Sequence, residues 1–162
     1  MPNIRGTIGV EAMTEPLAGI KGELAGLKNK KVLIVEDDKF LRYLLTIKLE
    51  QLKDRGVQVF TTGDTEEALE TARKVNPDVI FLDIVMPGKN GYEFLKELRE
   101  EIQFRETPVI ILSNLTNQDN NGHMKGLNVS AYLVKADFAL NDLVEKVSDI
   151  LANVQSPQPT TA

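Results

Sequence analysis

Cysteine is absent from the 162-residue chain, and histidine occurs once. Without thiols there are no disulfides, no thiolate metal sites and no cysteine nucleophiles, a composition suited to a reducing compartment. The one histidine, His123, stands in a polar stretch without metal-ligand partners and reads as a solvated surface residue. No run approaches the roughly 18 apolar residues of a membrane span. The N-terminus lacks the basic-then-apolar order of a secretory leader. The chain also lacks a basic surplus, because its net charge is −5. Phosphate binding by a nucleic-acid partner usually needs a positive face, so direct nucleic-acid binding is not expected. The expectation from these absences is a cytoplasmic protein.

What is present is an ordinary globular composition, 42% hydrophobic and 27% charged. A chain of this length buries roughly 68–70% of its unfolded surface, enough for a core without staples. Three textures divide it. Residues 1–30 are glycine-rich, with a thin apolar stripe of Met13, Leu17, Ile20, Leu24 and Leu27. They read as an extension, either flexible or a short amphipathic helix, because the glycines cost a helix about 1 kcal/mol each. Residues 31–152 alternate apolar runs with amphipathic stretches and form the folded domain. Residues 153–162, polar and proline-containing, read as a disordered tail. No further folded output domain is expected after Leu151.

Three runs, Val32-Leu33-Ile34-Val35, Val79-Ile80-Phe81-Leu82 and Val109-Ile110-Ile111-Leu112, are apolar at every position. Such strands are buried on both faces, as in the middle of a parallel sheet. Val57-Gln58-Val59-Phe60 and Ala131-Tyr132-Leu133-Val134 are mixed and suit its edges. Between them lie helical stripes. One is Leu41, Leu45, Leu49 and Leu52; another is Ala68, Leu69, Ala72 and Val75, with Asp64 and Glu67 at capping-box spacing. A third joins Phe94, Leu95, Leu98 and Ile102, and the last runs from Leu140 to Leu151. A weaker helix over 117–127 is burdened by Gly122 and Gly126. Five alternations with right-handed crossovers give a doubly wound five-stranded parallel α/β sheet. Its ligand site lies beyond the carboxyl ends of the strands.

That edge is where the polar residues fall. The first strand runs into Glu36-Asp37-Asp38, the third into Asp83, the fourth into Ser113-Asn114 and the fifth into Lys135. Clustered carboxylates repel unless a cation neutralises them, and an all-oxygen acidic set suits Mg²⁺. A carboxylate beside such a cation can attack a phosphoryl group in line, with a hydroxyl and an ammonium holding its oxygens. Asp38 reads as the cap of the following helix.

In that order, the first-strand acids, Leu82-Asp83-Ile84-Val85-Met86-Pro87-Gly88-Lys89-Asn90-Gly91, Ile111-Leu112-Ser113 and Tyr132-Leu133-Val134-Lys135 resemble response-regulator receiver domains of two-component signalling. The resemblance implies a (βα)5 flavodoxin-like fold with strand order 2-1-3-4-5. It implies Asp83 as phosphoacceptor and a Mg²⁺ site of Glu36, Asp37, Asp83 and the Val85 backbone carbonyl. Ser113 and Lys135 would hold the phosphoryl group, and Tyr132 would move with Ser113 as the switch. The expected role is a stand-alone response regulator. A sensor histidine kinase or phosphotransfer protein would phosphorylate it, and a downstream protein would read it. No enzyme activity beyond its own phosphorylation and dephosphorylation is implied. A homodimer would use the face of the fourth and fifth helices and the fifth strand. Two departures stand out. Ala136 takes the place of the proline that usually follows the lysine, often through a cis peptide, and Asn114 takes that of a small residue. The alternatives are a phosphorylation-independent docking receiver and an aspartyl phosphohydrolase. Val85, where the hydrolase would place a second acid, argues against the latter.

Overall fold

The computed structural model describes residues 27–86, 88, 90–114, 126–135 and 139–155. Strands β1 (Lys31–Val35), β2 (Gln58–Thr62), β3 (Val79–Asp83), β4 (Val109–Ser113) and β5 (Ala131–Val134) form one sheet. Its order is β2-β1-β3-β4-β5, and every neighbouring pair is parallel. Helices α1 (Lys39–Glu50), α2 (Thr65–Val75), α3 (Gly91–Glu100) and α4 (Leu140–Gln155) lie between or after the strands. This is the doubly wound, flavodoxin-like arrangement expected, with the two mixed strands at the edges. The weak helix over 117–127, His123 and the Lys135–Ala136 peptide fall wholly or partly outside the described residues.

Why the central strands are apolar at every position is visible in their packing. Along β3, Val79 and Phe81 join one buried cluster, whereas Ile80 and Leu82 join another. The first cluster holds the leucine stripe of α1 and Leu143, Val144, Val147 and Leu151 of α4. The second holds Ala68 and Ala72 of α2 with Phe94, Leu95 and Leu98 of α3. A period-2 strand between two helical layers must be apolar on both faces.

The helix starts follow local chemistry. Asp38 caps α1 by accepting from Leu41 N at 2.9 Å, and Asn90 caps α3 by accepting from Glu93 N at 3.0 Å. Asp64 caps α2, but Glu67 does not close a capping box with the Asp64 amide. Glu67 instead accepts from the Thr62 hydroxyl at 2.9 Å, and that same hydroxyl accepts from Asp64 N at 3.2 Å. The box is thus closed through a third residue. Two stripe ends also differ from the sequence reading. Ile102 lies in a short 3-10 turn beyond α3 and is 79% exposed. Leu52 lies beyond α1 yet is buried.

Leu27, the last residue of the N-terminal stripe, is fully buried against the α1 side of the core. Towards the other end of the chain, α4 continues through Gln155.

Candidate functional site

Register carries the polar residues to one place. Val35 pairs with Leu82, so Glu36 and Asp37 leave β1 alongside Asp83 at the end of β3. Asp83 pairs with Leu112, putting Ser113 one step further on, and Ser113 pairs with Val134, putting Lys135 just past β5. Four neighbouring strands therefore deliver five of the predicted residues to one edge. The Lys135 amide donates to the Ser113 carbonyl at 2.8 Å, which extends the ladder and fixes where the lysine leaves the sheet.

Side chains complete the arrangement. Lys135 Nζ lies 2.7 Å from Glu36 Oε2 and 3.0 Å from Asp83 Oδ2. The other oxygen of each acid accepts from a backbone amide at 3.0 Å, Glu36 Oε1 from Asp38 N and Asp83 Oδ1 from Val85 N. One carboxylate oxygen from each of Glu36, Asp37 and Asp83 lies within 4.8 Å of the others. Glu36, Asp83 and Ser113 are buried, while Asp37 is half-buried and opens the site to solvent.

Burial dominates the electrostatics. It lifts the Glu36 carboxyl from its ordinary 4.5 to about 7, opposed by the hydrogen-bonding lysine and reinforced by the charge of Asp83. Burial also raises Asp83, against the pull of Lys135. Lys135 is pushed down by its own burial, but Glu36 and Asp83 outweigh this and hold it above its usual value. Titratable groups displaced in this way, by desolvation and by one another, cluster at sites of chemistry.

Glycine makes the loop after β3 possible. The Gly91 amide donates to the Ile84 carbonyl at 3.1 Å, bringing the start of α3 against the end of β3. A Cβ at Gly91 would stand 2.6 Å from the Asp83 carbonyl oxygen and 2.8 Å from Ile84 Cα, both backbone atoms with little room to yield. Gly91 was part of the motif but its purpose was not legible there.

The remaining predicted residues fall nearby with less definition. Val85 reaches the site through its amide, and its side chain is exposed. Tyr132 is half-buried against the α2–α3 side of the core. Tyr92 of α3 packs there too, and its hydroxyl is pushed up to about 12 by burial and the proximity of Tyr132. Asn114 is exposed at the end of β4. The sequence reading passed over Tyr92, Arg42 and Gly63. Only the chain's return to the same edge gives them neighbours.

The residues present fit a hard divalent cation. Glu36 Oε2 is buried, takes no backbone donor, and meets the Lys135 ammonium at 2.7 Å. A buried carboxylate beside two further acids, all offering oxygen, is a donor set of the kind Mg²⁺ takes.

Comparison with known proteins agrees with this geometry. The family model for the response regulator receiver domain matches residues 32–148. The chain belongs to the response regulator receiver domain family of two-component, phosphorelay signalling. Among solved structures it is similar to the chemotaxis response regulator CheY4 of Vibrio cholerae, at 32% identity and TM-score 0.66, over 75% of this chain and 98% of that one. It is also similar to the phosphorylated cyanobacterial phytochrome response regulator RcpA, at 29% identity and TM-score 0.63, over 81% of this chain and 99% of that one. Among curated proteins it is 34% identical over 134 residues to a protein-glutamate methylesterase/protein-glutamine glutaminase of Archaeoglobus fulgidus. That match takes in 81% of this chain but 37% of the relative.

Proposed function

We propose that Asp83 accepts a phosphoryl group from a phosphohistidine of a sensor kinase or phosphotransfer protein, and that the change is read by a partner protein. The observation that carries this reading is the Glu36–Lys135–Asp83 arrangement: a buried nucleophilic carboxylate with an ammonium at 3.0 Å and two acids beside it. A carboxylate oxygen of Asp83 attacks phosphorus, the P–N bond breaks, and the histidine nitrogen leaves with the electron pair and takes a proton. Mg²⁺, held by Glu36, Asp37, Asp83 and the Val85 carbonyl, would supply positive charge to the phosphoryl oxygens during transfer. The Val85 amide holds one Asp83 oxygen, so the nucleophile is oriented before the donor arrives.

After transfer the group adds about −1.5 to −2 charges and three acceptor oxygens. Lys135 exchanges its carboxylate contact for a phosphoryl oxygen, and the Ser113 hydroxyl supplies a second contact. Both lie at the start of the segments leading into and out of β5, so their movement is passed to Tyr132. The output face then comprises β5, α4 and the segment that precedes β5, and a homodimer would use the same face. That RcpA is known in a phosphorylated form supports the chemistry. The protein's own phosphorylation and dephosphorylation are the only reactions this reading assigns to it.

The test is mass spectrometry of the intact protein after incubation with acetyl phosphate. The wild type gains one phosphoryl group only when Mg²⁺ is present, and Asp83→Asn gains none. No adduct on the wild type under these conditions would leave a docking module that works without phosphorylation.

A further inference from the structure

Glu36 is held in place by a residue outside the acid cluster. Arg42 lies on α1, and its Nη1 donates to the Glu36 backbone carbonyl at 2.6 Å. From the other side, the Glu36 amide donates to the Thr62 carbonyl at the end of β2, at 3.1 Å. The peptide units flanking one acid are thereby pinned by two different elements. The next residue after Thr62 is Gly63, where a Cβ would stand 2.5 Å from Arg42 Nη1 and 3.6 Å from the Glu36 carbonyl oxygen. Its missing side chain is the gap through which the guanidinium reaches.

The pairing is odd if stability were its only purpose. Among the described residues the Arg42 side chain's hydrogen bond goes to a neutral backbone carbonyl rather than to a carboxylate. Near the start of a helix, a cation is also opposed by the helix dipole.

We propose that Arg42 is a positioning residue. Acting through the Glu36 carbonyl, in the space left by Gly63, it sets the Glu36 carboxylate in place for the divalent cation. The inference rests on the cation-dependent reading above and extends it to two residues outside the acid set. Outer-sphere partners of this kind typically change metal affinity by about 10–100-fold when removed.

Charge and position predict opposite signs, which makes the idea testable. If Arg42 acted only as a nearby positive charge, removing it would strengthen Mg²⁺ binding. Positioning predicts that Arg42→Ala weakens binding about tenfold. Gly63→Ala, which expels the guanidinium but keeps its charge, should weaken it in the same direction, and Arg42→Lys should restore part of the loss. The experiment is a Mg²⁺ titration of the folded proteins followed by the backbone amide resonances of Glu36 and Asp38. The metal-free spectra give an independent reading. The Asp38 amide, which donates to Glu36 Oε1 at 3.0 Å, should shift in both alanine variants. Equal or tighter Mg²⁺ binding in Arg42→Ala overturns the proposal, as does a lower melting temperature with no change in affinity. If the wild type itself takes up no Mg²⁺, the phosphoryl-transfer reading fails. The Asp38 shift then decides positioning alone, and an unmoved resonance sinks it.

Discussion

Lys135 sits where two buried acids would otherwise face each other, so its charge offsets much of what their burial costs. Its ammonium touches both carboxylates, and its own side chain is largely buried. Removing one member of a buried charge cluster leaves the others uncompensated, which is costlier than the pair's net worth. Lys135→Met should therefore raise the Glu36 midpoint beyond its present value of about 7. It should also destabilise the protein at pH 8 more than at pH 5.5, since protonated acids need no counter-ion. Thermal melts at the two pH values, with a carboxyl NMR titration, measure both effects. The residue types of this site were legible in the chain: acids, a hydroxyl and a lysine at apolar run ends. That one ammonium contacts both Glu36 and Asp83 was not, because sequence spacing says nothing about which acid a lysine meets across the sheet.

At the level of elements, α3 does more than cover the sheet. Arg99 near its end donates to four backbone carbonyls: those of Leu127, Phe104, Thr107 and Asn128. It ties the turn after α3 to the approach to β5, where Leu127 and Asn128 precede Ala131. Burial lowers the guanidinium from its usual value, and among the described residues its hydrogen bonds go to backbone carbonyls, which stand in for a carboxylate. Arg99→Ala should cost about 2–3 kcal/mol in urea unfolding, since several carbonyls lose a charged donor together. Amide exchange at Ser130, bonded to the Val109 carbonyl, should quicken. Wild-type protection at Ser130 in the variant would show that β5 does not depend on this tie. Element positions were readable because core faces impose periods of 2 and 3.6. The misread parts are the ends. Ile102 continues α3's apolar spacing, but the chain turns before it can be buried. Thr62 intercepts a capping box that local spacing had drawn between Asp64 and Glu67.

For the whole molecule, the raised acids link folding to pH. Between the ordinary carboxyl value of 4.5 and about 7, folded Glu36 keeps a proton that the unfolded chain releases. The unfolded state then binds fewer protons, so this contribution to stability falls as pH rises through that window. Asp83, also raised, acts with the same sign. Without metal, the wild type should therefore lose stability relative to Glu36→Gln as pH goes from 5 to 7.5. Mg²⁺ prefers the ionised acids, so it should stabilise the wild type more at pH 7.5 than at 5.5. A cation at 100 times its dissociation constant adds about 2.7 kcal/mol. Calorimetric scans of both proteins, with and without Mg²⁺, give the comparison. A wild-type difference from Glu36→Gln that does not vary with pH would contradict it.

The sequence by itself determined the layers, the sheet, the caps Asp38 and Asp64, and the four polar strand ends. Each is written in neighbouring residues: apolar runs, helical stripes and short polar punctuation. The tertiary structure decided that Leu27 joins the core and that α4 runs through Gln155. It also decided the partners of Lys135, the carbonyl array around Arg99 and the reach of Arg42 past Gly63 to Glu36. These are contacts between elements distant in the chain, set by strand register and the packing of helices. Local periodicity specifies which face is buried, and only closure of the fold specifies which atom lies opposite.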